Sequence, residues 1–234
     1  MLKIKNIDVH YGEFQVLSNV SIEIETGDLR VLLGANGHGK SSLLKAICGL
    51  ASCSSGSIEY EQQRIDTETM DQLVEKGISY ISEDRELFPQ MSVSENLIMG
   101  SHNKNARNSE KDHLAYVYDL FPRLRERRKQ IASTLSGGEA RMLAIGRGIM
   151  ANPKFLAIDE PSLGLSPIMR DEVFGAIEDI NKKGVTVLLV EQNIPELSSI
   201  ADKIYFLEEG QIIFSGSIDE ATENKVIMEA LLGM

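Results

Sequence analysis

Cysteine is nearly absent from this 234-residue chain, with Cys48 and Cys53 the only two. Two cannot build a disulfide framework, and their C-x4-C spacing has no histidine or second cysteine pair to complete a metal site. Long apolar runs are missing as well. The longest, near IYFL and VTVLLV, fall far short of the ~20 residues a membrane helix requires, so any membrane role has to pass through a partner. The opening MLKIKNIDVHY lacks a charged start followed by a long apolar stretch, and with so little cysteine the expected location is a reducing cytosol. Positive charge is also scarce: 24 Lys and Arg against 35 Asp and Glu leave a net charge of -11 and a pI near 4.9. That balance opposes a polyanionic partner, and no nucleic-acid binding is expected. RLRERRK at 123–129, the one dense basic run, reads as a solvated helix face or terminus. No internal repeat and no low-complexity segment interrupts the chain.

What the chain does have is enough apolar sequence, 42%, to bury a substantial core in one compound domain or two small lobes. In the first thirty residues the pattern alternates. Leu2 and Ile4 stand against Lys3 and Lys5, then Ile22 and Ile24 against Glu23 and Glu25, the period expected of half-buried antiparallel strands. Four later runs are continuously apolar: LRVLL (29–33), ISYI (78–81), KFLAI (154–158) and VTVLLV (185–190). Such runs suit strands covered on both faces, and so a parallel sheet. Between the second and third runs, segment 91–150 carries helical spacing in HLAYVYDLF and EARMLAIGRGIM and reads as a helical insert; SHNKNARNSEKD (101–112) reads as an exposed loop or frayed helix start. KIYFLEEGQIIFSGS predicts a hairpin turning at Glu209 and Gly210.

The chemistry starts with GANGHGKSS, residues 34–42, set between the strand LRVLL and the helical run SLLKAICGL. It satisfies G-x4-G-K-[ST] in the strand–loop–helix context of a phosphate-binding loop. Glycines allow successive backbone N–H groups to turn inward around an anion, and the helix N-terminus adds partial positive charge. Gly34, Asn36, Gly37, His38, Gly39, Lys40, Ser41 and Ser42 are therefore nucleotide-binding candidates. Lys40 would meet the β and γ phosphates, and the Ser41 hydroxyl would ligate Mg²⁺; His38, with no carboxylate partner, reads as a tolerated variable position. FLAIDE (155–160) ends a buried strand in two carboxylates at the sheet's carboxyl edge, where ligands of open α/β sheets bind. Strand alternation predicts that Asp159 reaches the Mg²⁺ shell while Glu160 faces the γ-phosphate and polarises a water. A second phosphate site opens LSGGEARMLAIGRGIM (135–150), where Ser136, Gly137 and Gly138 start a helix. One nucleotide does not need two such sites. Two copies head to tail, each closing on the other's ATP, use both.

The LSGGE element resembles the signature of ATP-binding cassette (ABC) ATPases, and the resemblance extends over essentially the whole chain. It implies one domain over 1–234, with a RecA-like α/β core, an antiparallel β lobe mainly in 1–30 and a helical subdomain over 91–150. It also implies that Tyr11 stacks on adenine, that SLGL (162–165) is the dimer-contacting loop, and that ISYISEDRELFPQMSVSENL is the lid region meeting Mg²⁺ and a membrane subunit. Two positions depart from the wider family. Glu83 stands where glutamine is usual, still a hard oxygen ligand for Mg²⁺. Gln192 stands where a histidine usually bonds the γ-phosphate; its amide can donate that bond but carries no charge. Together VYDLFPRLRERR, MLAIGRGIM, DEPSLGLSP and LLVEQN resemble the LivF-type ATP-binding subunits of branched-chain amino-acid importers, with urea and amide importer subunits nearly as similar. Ser82, Asp84, Ala140 and Arg141 are unusual there, where proline, glycine and two glutamines are typical. The resemblance implies two membrane permease subunits, a second ATP-binding subunit, an extracytoplasmic solute-binding protein, and a place on the inner face of the membrane. The rival readings are a soluble ABC protein of translation, repair or iron-sulfur assembly, disfavoured by the single cassette and the lack of coiled coils, and a nucleotide sensor with little turnover, disfavoured by Glu160.

Overall fold

The computed structural model describes residues 1–192, 201, 203–224 and 227; Asn193, the last residue of LLVEQN, lies outside them. The alternating N-terminal pattern becomes two long strands, β1 (Leu2–Tyr11) and β2 (Phe14–Ile24), paired antiparallel with Leu2 opposite Ile24 and Ile4 opposite Ile22. The apolar phase of each strand points inward, which fixes the register. The antiparallel sheet draws on more than the first thirty residues. Its order is β2-β1-β4-β5, with β4 (Cys53–Tyr60) and β5 (Gln63–Arg64) arriving after β3 (Leu29–Leu33) and helix α1 (Lys40–Ile47).

All four continuous apolar runs are strands of a second sheet: β3, β6 (Ile78–Ile81), β7 (Phe155–Asp159) and β8 (Thr186–Glu191). They run parallel in the order β3-β8-β7-β6. The hairpin also forms, as β9 (Lys203–Glu208) and β10 (Gln211–Gly216), and β9 lies parallel against β3, giving six strands in the order β10-β9-β3-β8-β7-β6. Successive residues of the central strands enter different cores. Leu156, Ile158, Val187 and Leu189 pack with the helices on one face, whereas Phe155, Ala157, Leu188 and Val190 pack with α1 and the antiparallel sheet on the other. Burial on both faces is why these strands read as unbroken apolar runs.

Helix α2 (Met70–Glu75) precedes β6. Between β6 and β7 stand α3 (Val93–Met99), α4 (Lys104–Arg107), α5 (Glu110–Leu120), α6 (Pro122–Glu126) and α7 (Gly137–Met150); α8 (Pro167–Lys182) and α9 (Ile218–Glu223) come later. The 101–112 segment is not an open loop. Ser101 and Asn103 are buried: Asn103 accepts from Ala106 N at 2.7 Å to cap α4 and donates to the Ala151 carbonyl, while the Ser101 hydroxyl donates to Glu110 at 2.8 Å. These two polar side chains are satisfied inside the fold, while His102, Lys104, Arg107, Asn108, Lys111 and Asp112 around them are exposed as the sequence implies. The basic run lies mostly exposed on α6 and the turn after it, where Arg125 pairs with Asp119 and Arg127 with Glu139.

Candidate active site

The phosphate loop joins β3 to α1 as the sequence implies. Gly34, Gly37 and Gly39 all have positive φ, and Gly39, at +101°, is the N-cap of α1. Two of these positions have no room for a side chain: a Cβ on Gly34 would stand 2.3 Å from the Leu207 carbonyl oxygen, and one on Gly39 would stand 2.8 Å from Leu17. Only glycine meets both demands. The loop encloses a cavity of about 350 Å³ lined by Asn36, Gly37, Gly39, Lys40, Ser41, Ser42, Glu83 and Glu160, together with Val16 and Leu163. Eight predicted residues thus share one wall. The His38 ring turns away from it, and its Nδ1 accepts from the backbone N–H of Glu209 at 3.3 Å, while Gly210 N donates to the His38 carbonyl at 3.2 Å. His38 fastens the loop to the β9–β10 turn.

Lys40 is buried, and its ammonium donates to the carbonyls of Gly34 at 2.9 Å and Ala35 at 3.1 Å and stands 3.3 Å from Glu160 Oε1. Gln192 Nε2 donates to the other carboxylate oxygen of Glu160. The strand-alternation argument for Glu160 fails, because β7 ends at Asp159 and Glu160 has left-handed backbone with φ of +43°. Its direction comes from that turn, pinned by Glu160 N donating to the Val190 carbonyl at 3.0 Å. Non-glycine residues tolerate such backbone only where surrounding structure enforces it, most often at functional sites. Asp159 keeps the strand's phase, facing the same side as Ala157 and α1.

Asp159 is nearly inaccessible, and burial pushes its carboxyl above the usual range, opposed by hydrogen bonding from Ser41 and Tyr80. Tyr80 on β6 donates its hydroxyl to Asp159 Oδ2 at 3.2 Å, and Oδ1 is buried with no partner. Glu83 is likewise pushed up, by burial first and then by repulsion from Glu160 and Asp159. Glu191, also raised by burial, accepts from Ser162 N at 3.0 Å and Gln192 N at 3.3 Å, so the end of β8 is bonded to the loop after Glu160. Sequence reasoning did not single out Tyr80, Glu191 or Val16, and placed Leu163 only within the SLGL loop; a tyrosine one residue before the end of β6, in phase with Asp159, was the one signal available.

Ser136 caps α7 through a reciprocal box. Its N–H donates to Glu139 Oε2 at 2.9 Å and its hydroxyl accepts from Glu139 N, leaving the first N–H groups of the helix, at Gly137 and Gly138, outside the helical ladder. These three residues do not line the cavity that holds Lys40, and neither does Tyr11, half exposed at the end of β1.

A family profile described as ABC transporter matches residues 17–163. The chain belongs to the ABC transporter ATPases. Over the full length of both chains it is 41% identical to the high-affinity branched-chain amino acid transport ATP-binding protein BraG of Pseudomonas aeruginosa. It is 32% identical to the probable branched-chain amino acid transport ATP-binding protein LivF of Archaeoglobus fulgidus, covering 100% of this chain and 99% of the other. Among solved structures, a nucleotide-free ATP-binding cassette from an ABC transporter superposes with a TM-score of 0.89 at 26% identity, covering 100% and 99% of the two chains, and a cassette in its ADP conformation with 0.86 at 26%. The protein is an ABC ATPase that binds nucleotide and couples its hydrolysis to transport, and the non-transport alternatives are not favoured. Among the described residues, no helix is long and apolar enough to cross a membrane.

Proposed function

We propose that this ABC ATPase energises an importer of branched-chain amino acids and hydrolyses ATP at the cavity between Lys40 and Glu160. The observation that carries the chemistry is the chain of contacts from Lys40 to Glu160 to Gln192: a phosphate-binding cation and a carboxylate share one cavity wall, and an orienting amide bonds that carboxylate from beside it. Lys40 and the loop N–H groups bind the phosphates; Tyr11 receives the adenine. Glu160 takes the proton of the attacking water, and Gln192 holds that carboxylate and the γ-phosphate in line.

The charges argue for a divalent cation. Glu83, Asp159 and Glu160 stand in or beside the cavity with Lys40 as the one cation lining it among the described residues, a balance that repels a triphosphate. Mg²⁺ takes one or two carboxylates with water and substrate oxygens, and needs no protein cage. Ser41, Asp159 and Glu83 supply an oxygen-only donor set for it, and the unpartnered Asp159 Oδ1 fits a ligand atom. When bound, Mg²⁺ would neutralise phosphate charge.

Ser136, Gly137 and Gly138 meet the nucleotide of a second ATP-binding subunit, the same or homologous, since they lie off the cavity of their own chain. A second cavity, of about 540 Å³, runs between α2, the 82–88 loop, α3 and α7, and Phe88 and Met99 in its wall are about 40% exposed. That apolar groove supports docking of two membrane permeases on the cytoplasmic face, fed by an extracytoplasmic solute-binding protein. Phosphate release by the purified protein, then ATP-driven leucine uptake by vesicles reconstituted with its permeases and binding protein, tests the reading. No release above that of Lys40→Ala overturns the chemistry, and ATP-driven uptake of a different solute overturns the substrate.

A further inference from the structure

Arg141 is the largest fully buried side chain among the described residues, 1% exposed. A guanidinium carries five donors and a fixed charge, and burying it is costly unless it is paired. Yet Nη1 donates to the Ser82 carbonyl at 3.2 Å, Nε has no partner, and no carboxylate of the described residues forms an ion pair with it. The group is held by a backbone oxygen and by charges at longer range: Glu83, Glu191 and Asp159 favour its ionised form against burial and Arg85.

The location gives this residue a use. Arg141 lies on the second turn of α7, whose first turn carries Ser136, Gly137 and Gly138, and the carbonyl it grips belongs to the residue before Glu83 in the cavity wall. Farther along α7, Arg147 donates to the carbonyls of Glu86 at 2.7 Å and Arg85 at 3.0 Å, both residues with left-handed backbone, and covers the Phe88 ring. The 82–88 loop is thus clamped to α7 at both ends, and only the Arg141 end adjoins the nucleotide cavity. We propose that Arg141 is a positioning residue acting through Glu83: it holds the 82–88 loop so that Glu83 stays in the cavity, and it transmits displacement of Glu83 to the end of α7 that serves the opposing subunit's nucleotide. This rests on the nucleotide reading of the Lys40 cavity.

The competing role is filling space, and a double-mutant cycle separates the two. Melting temperature without nucleotide, binding of a non-hydrolysable ATP analogue, and steady-state KM and kcat are measured for wild type, Arg141→Gln, Arg141→Lys, Glu83→Ala and Glu83→Ala/Arg141→Gln. If Arg141 acts through Glu83, Arg141→Gln weakens analogue binding and raises KM about five- to tenfold in the wild-type background and changes neither beyond about twofold once the carboxylate side chain is removed by Glu83→Ala. Arg141→Lys recovers part of the loss. The melting-temperature effect of Arg141→Gln differs between the two backgrounds by about 3 °C or more. Equal effects in both backgrounds overturn the proposal. The nucleotide-free melting cycle reads the coupling even if the protein hydrolyses nothing, and Arg141→Lys crossed with Glu83→Ala replaces the Arg141→Gln arm if that variant fails to fold.

Discussion

Glu160→Gln separates catalysis from stability at this site. The change removes one negative charge and preserves shape. Lys40 loses a partner at 3.3 Å, an attraction on the order of 5 kcal/mol at an effective dielectric of about 20 before desolvation is counted. Two terms offset it. Lys40 keeps the carbonyls of Gly34 and Ala35, so its charge is not orphaned, and the carboxylates of Glu83, Asp159 and Glu191 each lose a repulsive neighbour. The new amide can still present its oxygen to Gln192. One attraction is exchanged against three repulsions and a saved desolvation cost, so the nucleotide-free stability should change by no more than about 2 kcal/mol, or about 4–8 °C in melting temperature for a domain of this size. Turnover is a different matter, because the amide cannot accept the water's proton. It should fall about 10²- to 10⁴-fold with ATP binding kept, leaving a closed dimer that gel filtration detects with ATP and Mg²⁺. Calorimetry and phosphate release on the same preparation check both halves. Turnover within tenfold of wild type refutes the assignment of Glu160 as base, and a melting temperature lowered by well over 8 °C refutes the charge argument.

Lys40→Ala should abolish turnover and weaken nucleotide binding in an equilibrium assay. Gln192→Ala should lower turnover less than Glu160→Gln does, while Gln192→His should retain or raise it, since imidazole can make the same contact; steady-state rates on the three variants decide. Tyr80→Phe removes a buried hydrogen bond to an acid and should cost about 1–3 kcal/mol by denaturant unfolding. At the signature end, Glu139 is held below its usual range: burial pushes it up, but the Ser136 N–H and hydroxyl and the Arg127 charge outweigh that. A depressed acid contributes stability above its unfolded value and loses it as pH falls through the folded one, so Glu139→Gln, which keeps the capping box, should cost about 0.5–1 kcal/mol at pH 7, a cost that begins to shrink near the unfolded value of about 4.3 and vanishes below the folded one. A cost independent of pH would refute it.

The fold was legible where burial imposes a pattern. Strands covered on both faces must be apolar throughout, and LRVLL, ISYI, KFLAI and VTVLLV all became parallel neighbours in one sheet. Patterns failed where side chains did work that composition hides. SHNKNARNSEKD looks solvated because asparagine and serine usually are, but Asn103 and Ser101 spend their polar atoms on helix ends inside the fold. The antiparallel sheet ran past residue 30 because β4 and β5 alternate less cleanly, with Ser54, Ser55 and Gly56 in succession at the start of β4.

At the site, legibility followed the backbone. A phosphate loop is mostly a set of positive-φ and close-approach demands, and those are written directly as glycine, as Gly34 and Gly39 show. Glu160 lines the Lys40 cavity as expected, but a turn puts it there and not alternation, which was carried one residue past the end of the strand; a left-handed φ of +43° cannot be read from a glutamate. Longer-range electrostatics were less legible still. Nothing in EARM announces that Arg141 points inward, since arginine on a helix is normally a surface residue and its burial here depends on carboxylates from three separate segments, at 83, 159 and 191. The candidate binding residues are named by local motif; the residues that hold them in register come from the packing of α7 against β6 and the 82–88 loop, which no single stretch of the chain contains.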